Sequence, residues 1–360
     1  MGIVQRESFL EFLFNYGLFL AKAVTFVIVV AIIVAIVAGI STRKKSGVKG
    51  QIEITDLNDS YQAMFEAIEG AIITHAEAKQ QDKAKKKDAK KTAKQEKTQL
   101  KSGQKPPVKP RLFVLDFDGD IKASQVESLK QTISAVLSIA TTEDEILLKL
   151  ESGGGMVHSY GLAASQLDRI KQKGIPLTIA VDKIAASGGY MMACTANKIL
   201  AAPFSIIGSI GVVAQVPNVH RLLKKHDVDV EILTAGEYKR TLTMLGENTE
   251  KGRAKFIEDL QLTHDLFKEF VSEHRPNLNV AEVATGEIWY GRQAIDKGLV
   301  DSICTSDQYI TDQLNDKRII GVDYVIKKNI VNRISDAAEA SVDRLVVRWL
   351  TRLMPSRPQW

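Results

Sequence analysis

Cysteine is nearly absent from this 360-residue chain: there are two, Cys194 and Cys304, and no Cys-x-x-Cys. Two thiols cannot build a disulfide framework, and no zinc-ligand spacing is present. Cys194 lies beside Met191 and Met192 in an apolar run, which reads as a buried structural thiol. Other chemical signatures are missing too. There is no His-Glu-x-x-His, no Gly-x-Ser-x-Gly elbow, no Walker loop and no dinucleotide fingerprint. These absences remove the common metal, nucleotide and hydrolase-elbow schemes. Of six histidines, only His158, just after a glycine turn, is placed to serve as a triad base. The others read as helix-surface or core residues. No long internal repeat is visible.

Charge is unevenly spread. The formal net charge is +5, yet residues 79–109 hold twelve lysines against Asp82, Asp88 and Glu96. That segment carries +9, so the remainder is mildly acidic. It contains almost no large apolar side chain and reads as a solvated helix or a disordered spacer. No aromatics interleave with its lysines, so it points to anionic lipid and away from nucleic acid. Pro106, Pro107 and Pro110 close the segment.

Ala23–Ile40 contains no charge and consists mostly of Val, Ile and Ala. As a helix this run rises about 27 Å, close to the hydrocarbon thickness of a bilayer. It is longer than the apolar core of a cleaved signal and ends in Thr42-Arg43-Lys44-Lys45, so it reads as a retained single-pass anchor. Arg43, Lys44, Lys45 and Lys49 outnumber Arg6 and Lys22 on the other flank. By charge alone, the C-terminal bulk would face the cytoplasm.

The rest divides into four regions: residues 1–45 with the anchor, 46–109 as a helical, Lys-rich spacer, 110–310 as the main domain, and 311–360 as an extension. Residues 51–78 show a helical stripe through Tyr61, Met64, Phe65, Ile68 and Ile72. From Arg111 onward, strands alternate with helices. Strands are expected at Leu112–Phe117, Ile146–Leu150, Leu177–Val181 and Ile199–Ala202, with Val228–Leu233 continuing the pattern. Helices are expected at Val126–Ile139, around Tyr160–Ile170, at Tyr190–Ala196 and at Thr249–His274. This alternation predicts an α/β fold with a largely parallel sheet. In the extension, Val342–Leu353 is amphipathic, with Arg344, Arg348 and Arg352 opposite Leu345, Val346, Trp349, Leu350 and Leu353.

Two residues stand out for chemistry. Ser187 sits in Ala-Ala-Ser-Gly-Gly-Tyr, where a strand gives way to a helix. Lys239 sits in Gly-Glu-Tyr-Lys-Arg. A serine hydroxyl becomes a nucleophile when a base removes its proton, and an uncharged lysine can be that base. A free lysine titrates near pH ~10.4, so work near neutrality needs a depression of roughly three units, about 4 kcal/mol. Leu242, Met244 and Leu245 could supply the dry wall, provided Glu237 and Arg240 point away. The Gly188 amide beside the serine is one oxyanion donor. The turn Glu151-Ser152-Gly153-Gly154-Gly155 is the source of a second.

Several stretches taken in order resemble the signal peptide peptidase A family. They are Leu150–Val157, Ala186–Tyr190, Ile207–Val212 and Trp289–Asp301. The resemblance covers roughly residues 110–310 in its catalytic domain. It implies a Clp/crotonase-like fold of repeated ββα units behind an N-terminal transmembrane helix. It implies a serine endopeptidase using a Ser187–Lys239 dyad. Ser209 would orient the lysine, and Gly154 or Gly155 would join the oxyanion hole, with no cofactor or metal. Implied partners are a peptide or protein substrate, membrane lipid and further copies of the chain. Short members of the family draw serine and lysine from neighbouring protomers, so a ring-like homo-oligomer is expected. Relatives act on the periplasmic face of the bacterial inner membrane, opposite to the side favoured by the flanking charges. The family turn usually reads Asn-Ser-Pro-Gly-Gly; here Glu151 replaces Asn and Gly153 replaces Pro, which loosens the loop. Two rival readings share the fold: a crotonase-like acyl-CoA enzyme without a dyad, and a non-catalytic membrane scaffold.

Overall fold

The computed structural model describes residues 16–22, 24–26, 50–73 and 109–326, with single positions at 77, 87, 90, 91 and 94. Most of the expected anchor, most of the Lys-rich spacer and the amphipathic 342–353 segment lie outside them. Among the described residues no helix is long and apolar enough to cross a membrane. Residues 16–22 and 24–26 are helical. Residues 51–325 form a separate compact unit, which carries the sheet.

The unit is a mixed α/β structure around one ten-stranded, mostly parallel sheet. The main path begins with β1 (Gln51–Asp56), antiparallel to β10 (Arg318–Val325). It continues in parallel through β2 (Arg111–Gly119), β3 (Glu145–Ser152), β4 (Leu177–Val181), β6 (Lys198–Ala201) and β9 (Ser302–Ile303). The sheet forks at β3. Residues 146–149 pair with β4, whereas Ser152 at the strand end pairs with Ala185 of β5 (Ile184–Ala186). From β5 a second branch runs to β7 (Ile206–Gly208) and then antiparallel to β8 (Ile288–Tyr290). The fork leaves the glycine turn, the end of β5 and the end of β7 side by side.

Apolar periodicity explains the layers. Ile146, Leu147 and Leu148 are fully buried, as expected of a parallel strand covered on both faces. On one face lie α2 (Val126–Leu137), α3 (Val157–Gln172) and α4 (Gly188–Ala193). They bury Leu129, Ile133 and Val136 from α2, and Tyr160, Ala163, Leu167 and Ile170 from α3, at helical spacing. The opposite face is covered by Leu57 and Tyr61 of α1 (Leu57–Ile72) and by Tyr309 and Ile310 of α9 (Ser306–Gln313). Cys194 is fully buried, as its neighbours predict, and burial pushes its thiol pKa up.

Two local expectations need correction. Residues 51–56 are a strand, not part of the helix; Ile52 and Ile54 alternate, but the longer helical stripe behind them masks that signal. Val228–Leu233 is not a strand. It belongs to a largely exposed stretch, 213–249, in which only α5 (His220–Lys225) is helical and Leu233 is 89% exposed. The helix that follows, α6 (Glu250–His274), lies where a helix was expected and is capped by the Thr249 side chain, yet buries only Phe267 and Val271. Short α7 (Val280–Val283) and α8 (Gly291–Asp296) complete the unit.

Candidate active site

Ser187 caps α4 with φ 53° and ψ −119°, a conformation natural to glycine and costly for a side-chain-bearing residue. The strand and the helix hold it there. Its N–H donates to the Gly208 carbonyl at 2.8 Å, and its carbonyl accepts from Met191 N–H at 3.0 Å. The bend aims the start of α4, with its unbonded amides, at the glycine turn. Ser209, just after β7, is also at positive φ (51°), and its N–H donates to the Glu287 carbonyl at 2.6 Å.

These parts meet in one open cleft of about 520 Å³, lined by Gly153, Gly154, Gly155, Ser187 and Ser209 among others. Gly154 (φ +88°) approaches the serine so closely that a methyl group on it would stand 2.7 Å from both Ser187 Cβ and Gly188 N. Only glycine fits there. The three glycine amides are not equivalent. Gly154 N–H already donates to Ser152 Oγ at 3.0 Å. Gly155 and Gly188 amides have no partner among the described residues. The turn is tied down again by Met156 N–H donating to the Ile121 carbonyl at 2.9 Å.

Lys239 is elsewhere. It is exposed within the 213–249 stretch and does not line the cleft. Met244 and Leu245, the expected dry wall, are themselves about half exposed, at 57% and 47%. The segment is anchored to the start of α6: Glu237 pairs with Lys251, and the Lys251 and Lys255 ammonium groups sit 6.0 and 5.8 Å from the Tyr238 ring centroid. The Lys251 partnership lowers the Glu237 pKa, and Glu237 is held away from Lys239's task. His158 is exposed and does not line the cleft either.

The cleft also contains residues that sequence reasoning passed over. His264 of α6 lines it, and its Nε2 is sealed from solvent with no hydrogen-bond partner among the described residues. Val212, Val213 and Thr285 add to the wall. Helical periodicity places His264 on the stripe of Phe267 and Val271, but nothing local connects that stripe to Ser187. Among the described residues there is no cluster of His, Cys, Asp or Glu that could hold a metal.

A strained serine facing unbonded backbone amides across an open cleft is equipped for acyl transfer through the serine hydroxyl. That is the arrangement expected of a serine hydrolase. Residues 11–167 match the family model "Peptidase family S49 N-terminal", and residues 169–319 match "Peptidase family S49". The chain belongs to peptidase family S49 and is therefore a serine-type protease, a hydrolase acting on peptide or protein. It is 51% identical over 344 residues to "Probable protease SohB" of Haemophilus influenzae, covering 95% of this chain and 97% of that one. Against the "Probable protease SohB" of Buchnera aphidicola subsp. Schlechtendalia chinensis it is 50% identical over 306 residues, covering 84% and 99%. "Protease 4" of Haemophilus influenzae is more distant: 26% identity over 264 residues, covering 67% of this chain and 42% of that protein.

Proposed function

We propose that this protease is a membrane-anchored endopeptidase in which Ser187 attacks the scissile carbonyl and Lys239 of a neighbouring copy acts as the base. The observation that carries this reading is the separation within one chain. Ser187 is poised in a cleft with free amides, whereas Lys239 is displayed on an exposed arm outside it. A ring-like homo-oligomer would bring an arm to each cleft and dry the amine. The exposed apolar side chains on the arm and α6, including Val213, Leu233, Ile257 and Leu266, suit such burial. The forked sheet supports a Clp/crotonase-like arrangement of ββα units.

In this mechanism the Ser187 hydroxyl proton passes to the uncharged lysine as Oγ bonds to the carbonyl carbon. Gly155 and Gly188 amides hold the resulting oxyanion, with Gly154 providing the bend that aims them. The lysine returns the proton to the leaving amine, leaving an acyl-serine. Water then attacks, the lysine takes its proton and returns it to Ser187 Oγ as the acyl bond breaks, and the acid product departs. Ser209, lining the same cleft, orients the incoming amine.

The uncharged run Ala23–Ile40 supports a single-pass anchor in the bacterial inner membrane, with the protease domain on the periplasmic face. Proximity to lipid suits signal-peptide remnants and membrane or envelope proteins as substrates. A peptidase assay across pH tests the chemistry. Activity should disappear in Ser187→Ala and Lys239→Ala, and the parent rate should rise toward alkaline pH. Full activity in Lys239→Ala would refute the dyad.

A further inference from the structure

Tyr160 and Ser152 are buried polar residues beside the cleft, 0% and 2% exposed, and the proposed chemistry uses neither directly. Their hydroxyls are 2.6 Å apart. Tyr160 Oη also donates to the Asp120 carbonyl at 2.7 Å. Ser152 Oγ accepts the Gly154 N–H at 3.0 Å. Each hydroxyl has one proton to give. Tyr160 gives its proton to Asp120, so the serine proton goes to Tyr160 at 2.6 Å, with the Gly119 carbonyl a longer second acceptor at 3.3 Å. The bonds then run in one direction: Gly154 N–H to Ser152, Ser152 O–H to Tyr160, Tyr160 O–H to the Asp120 carbonyl. Every member is satisfied, and a connected buried chain of this kind stiffens what it holds.

The same tyrosine touches the other half of the site. A side chain on Gly188 would overlap the Tyr160 ring, so ring and backbone are in direct apposition. Tyr160 thus contacts the start of α4 with its ring and the glycine turn, through Ser152, with its hydroxyl. These two segments carry the two free amides.

We infer that Tyr160, acting through Ser152, is a positioning residue that sets the spacing between the Gly155 and Gly188 amides, restoring the rigidity that a glycine at position 153 gives up. This inference rests on the reading of Ser187 as nucleophile. Because the oxyanion exists only during reaction, loosening its donors lowers turnover and leaves substrate binding in place.

The test uses the full-length oligomer and three variants, Tyr160→Phe, Ser152→Ala and the double variant, with Ser187→Ala as reference. Tyr160→Phe keeps the ring against Gly188 and removes only the hydroxyl. Expected are a fall in kcat of roughly tenfold to a hundredfold with KM nearly unchanged, and weaker inhibition by a peptide aldehyde, which forms an oxyanion. The double variant should match either single one, because both break the same chain. Amide exchange at Gly154, followed by mass spectrometry, should accelerate in each, a readout independent of activity. If Ser187→Ala is inactive while Tyr160→Phe and Ser152→Ala turn over like the parent, the positioning role is overturned and the nucleophile stands. A rise in KM at constant kcat also overturns it. If Ser187→Ala retains activity, both readings fall.

Discussion

Gly154 and Gly188 are closely apposed beside the cleft: a methyl group on Gly154 would stand 2.7 Å from the Gly188 amide nitrogen. The glycine turn and the helix start are therefore seated against one another before any substrate arrives. Gly154→Ala should abolish peptidase activity. It adds a Cβ at φ +88° and pushes the Gly188 amide out of place. Turnover should fall by about a hundredfold or more. A serine-reactive phosphonate, whose labelling also needs the oxyanion donors, should react with the variant far more slowly. Parent-like labelling would show that the contact is dispensable.

Ser187 occupies a backbone conformation suited to glycine. Ser187→Gly should raise unfolding stability by about 1 kcal/mol while destroying activity, because it releases strain together with the hydroxyl. Ser187→Ala retains Cβ and should show no such gain. Urea unfolding of the two variants decides the matter. Equal stabilities would mean that the turn stores no strain.

Separation of Ser187 from Lys239 within one chain predicts complementation. Ser187→Ala and Lys239→Ala proteins, each inactive, should recover activity when unfolded together and reassembled. With random mixing in a ring, roughly a quarter of sites would hold one intact residue of each kind. No recovery would place both residues of a site on the same chain.

Acid sensitivity has a local source at the start of β2. Burial raises the Asp144 pKa, but hydrogen bonds from the Arg111 guanidinium, the Thr141 and Arg111 amides and the Thr141 hydroxyl outweigh it and hold the pKa at about 2. A carboxylate whose pKa falls on folding contributes stability above its unfolded value, and loses it as pH drops through the folded value. This contribution should be complete above about pH 4 and fade toward about pH 2. Asp144→Asn should lower stability at neutral pH and flatten the decline over that window. An unchanged slope would assign the acid response to other carboxylates.

Much of the unit is legible residue by residue. Val126–Leu137 and Glu250–His274 are legible as helices, and the apolar β3 and β4 runs announce a buried parallel sheet. Ser187, Ser209 and the glycine turn were recognisable as motifs, and they do line one cleft. What stayed hidden depends on distant partners. β1 exists because Gln51–Asp56 finds β10 more than 260 residues later. His264 reaches the cleft only through the packing of α6. Tyr160 reads as an ordinary core aromatic until its hydroxyl is seen bridging Ser152 and Asp120.

Sequence alone determined the chemical inventory: a serine and two glycines between a strand and a helix, a lysine downstream of it, glycines at the turn and an uncharged run long enough for a bilayer. These follow from side-chain chemistry and short-range steric rules, which act within a few residues. Tertiary structure decided which amides remain free, which glycine is spent on shaping the turn, and that the lysine stands apart from the serine. Those outcomes arise where the sheet forks at Ser152, because hydrogen-bond pairing between strands far apart in the chain fixes the separations on which the proposed chemistry depends.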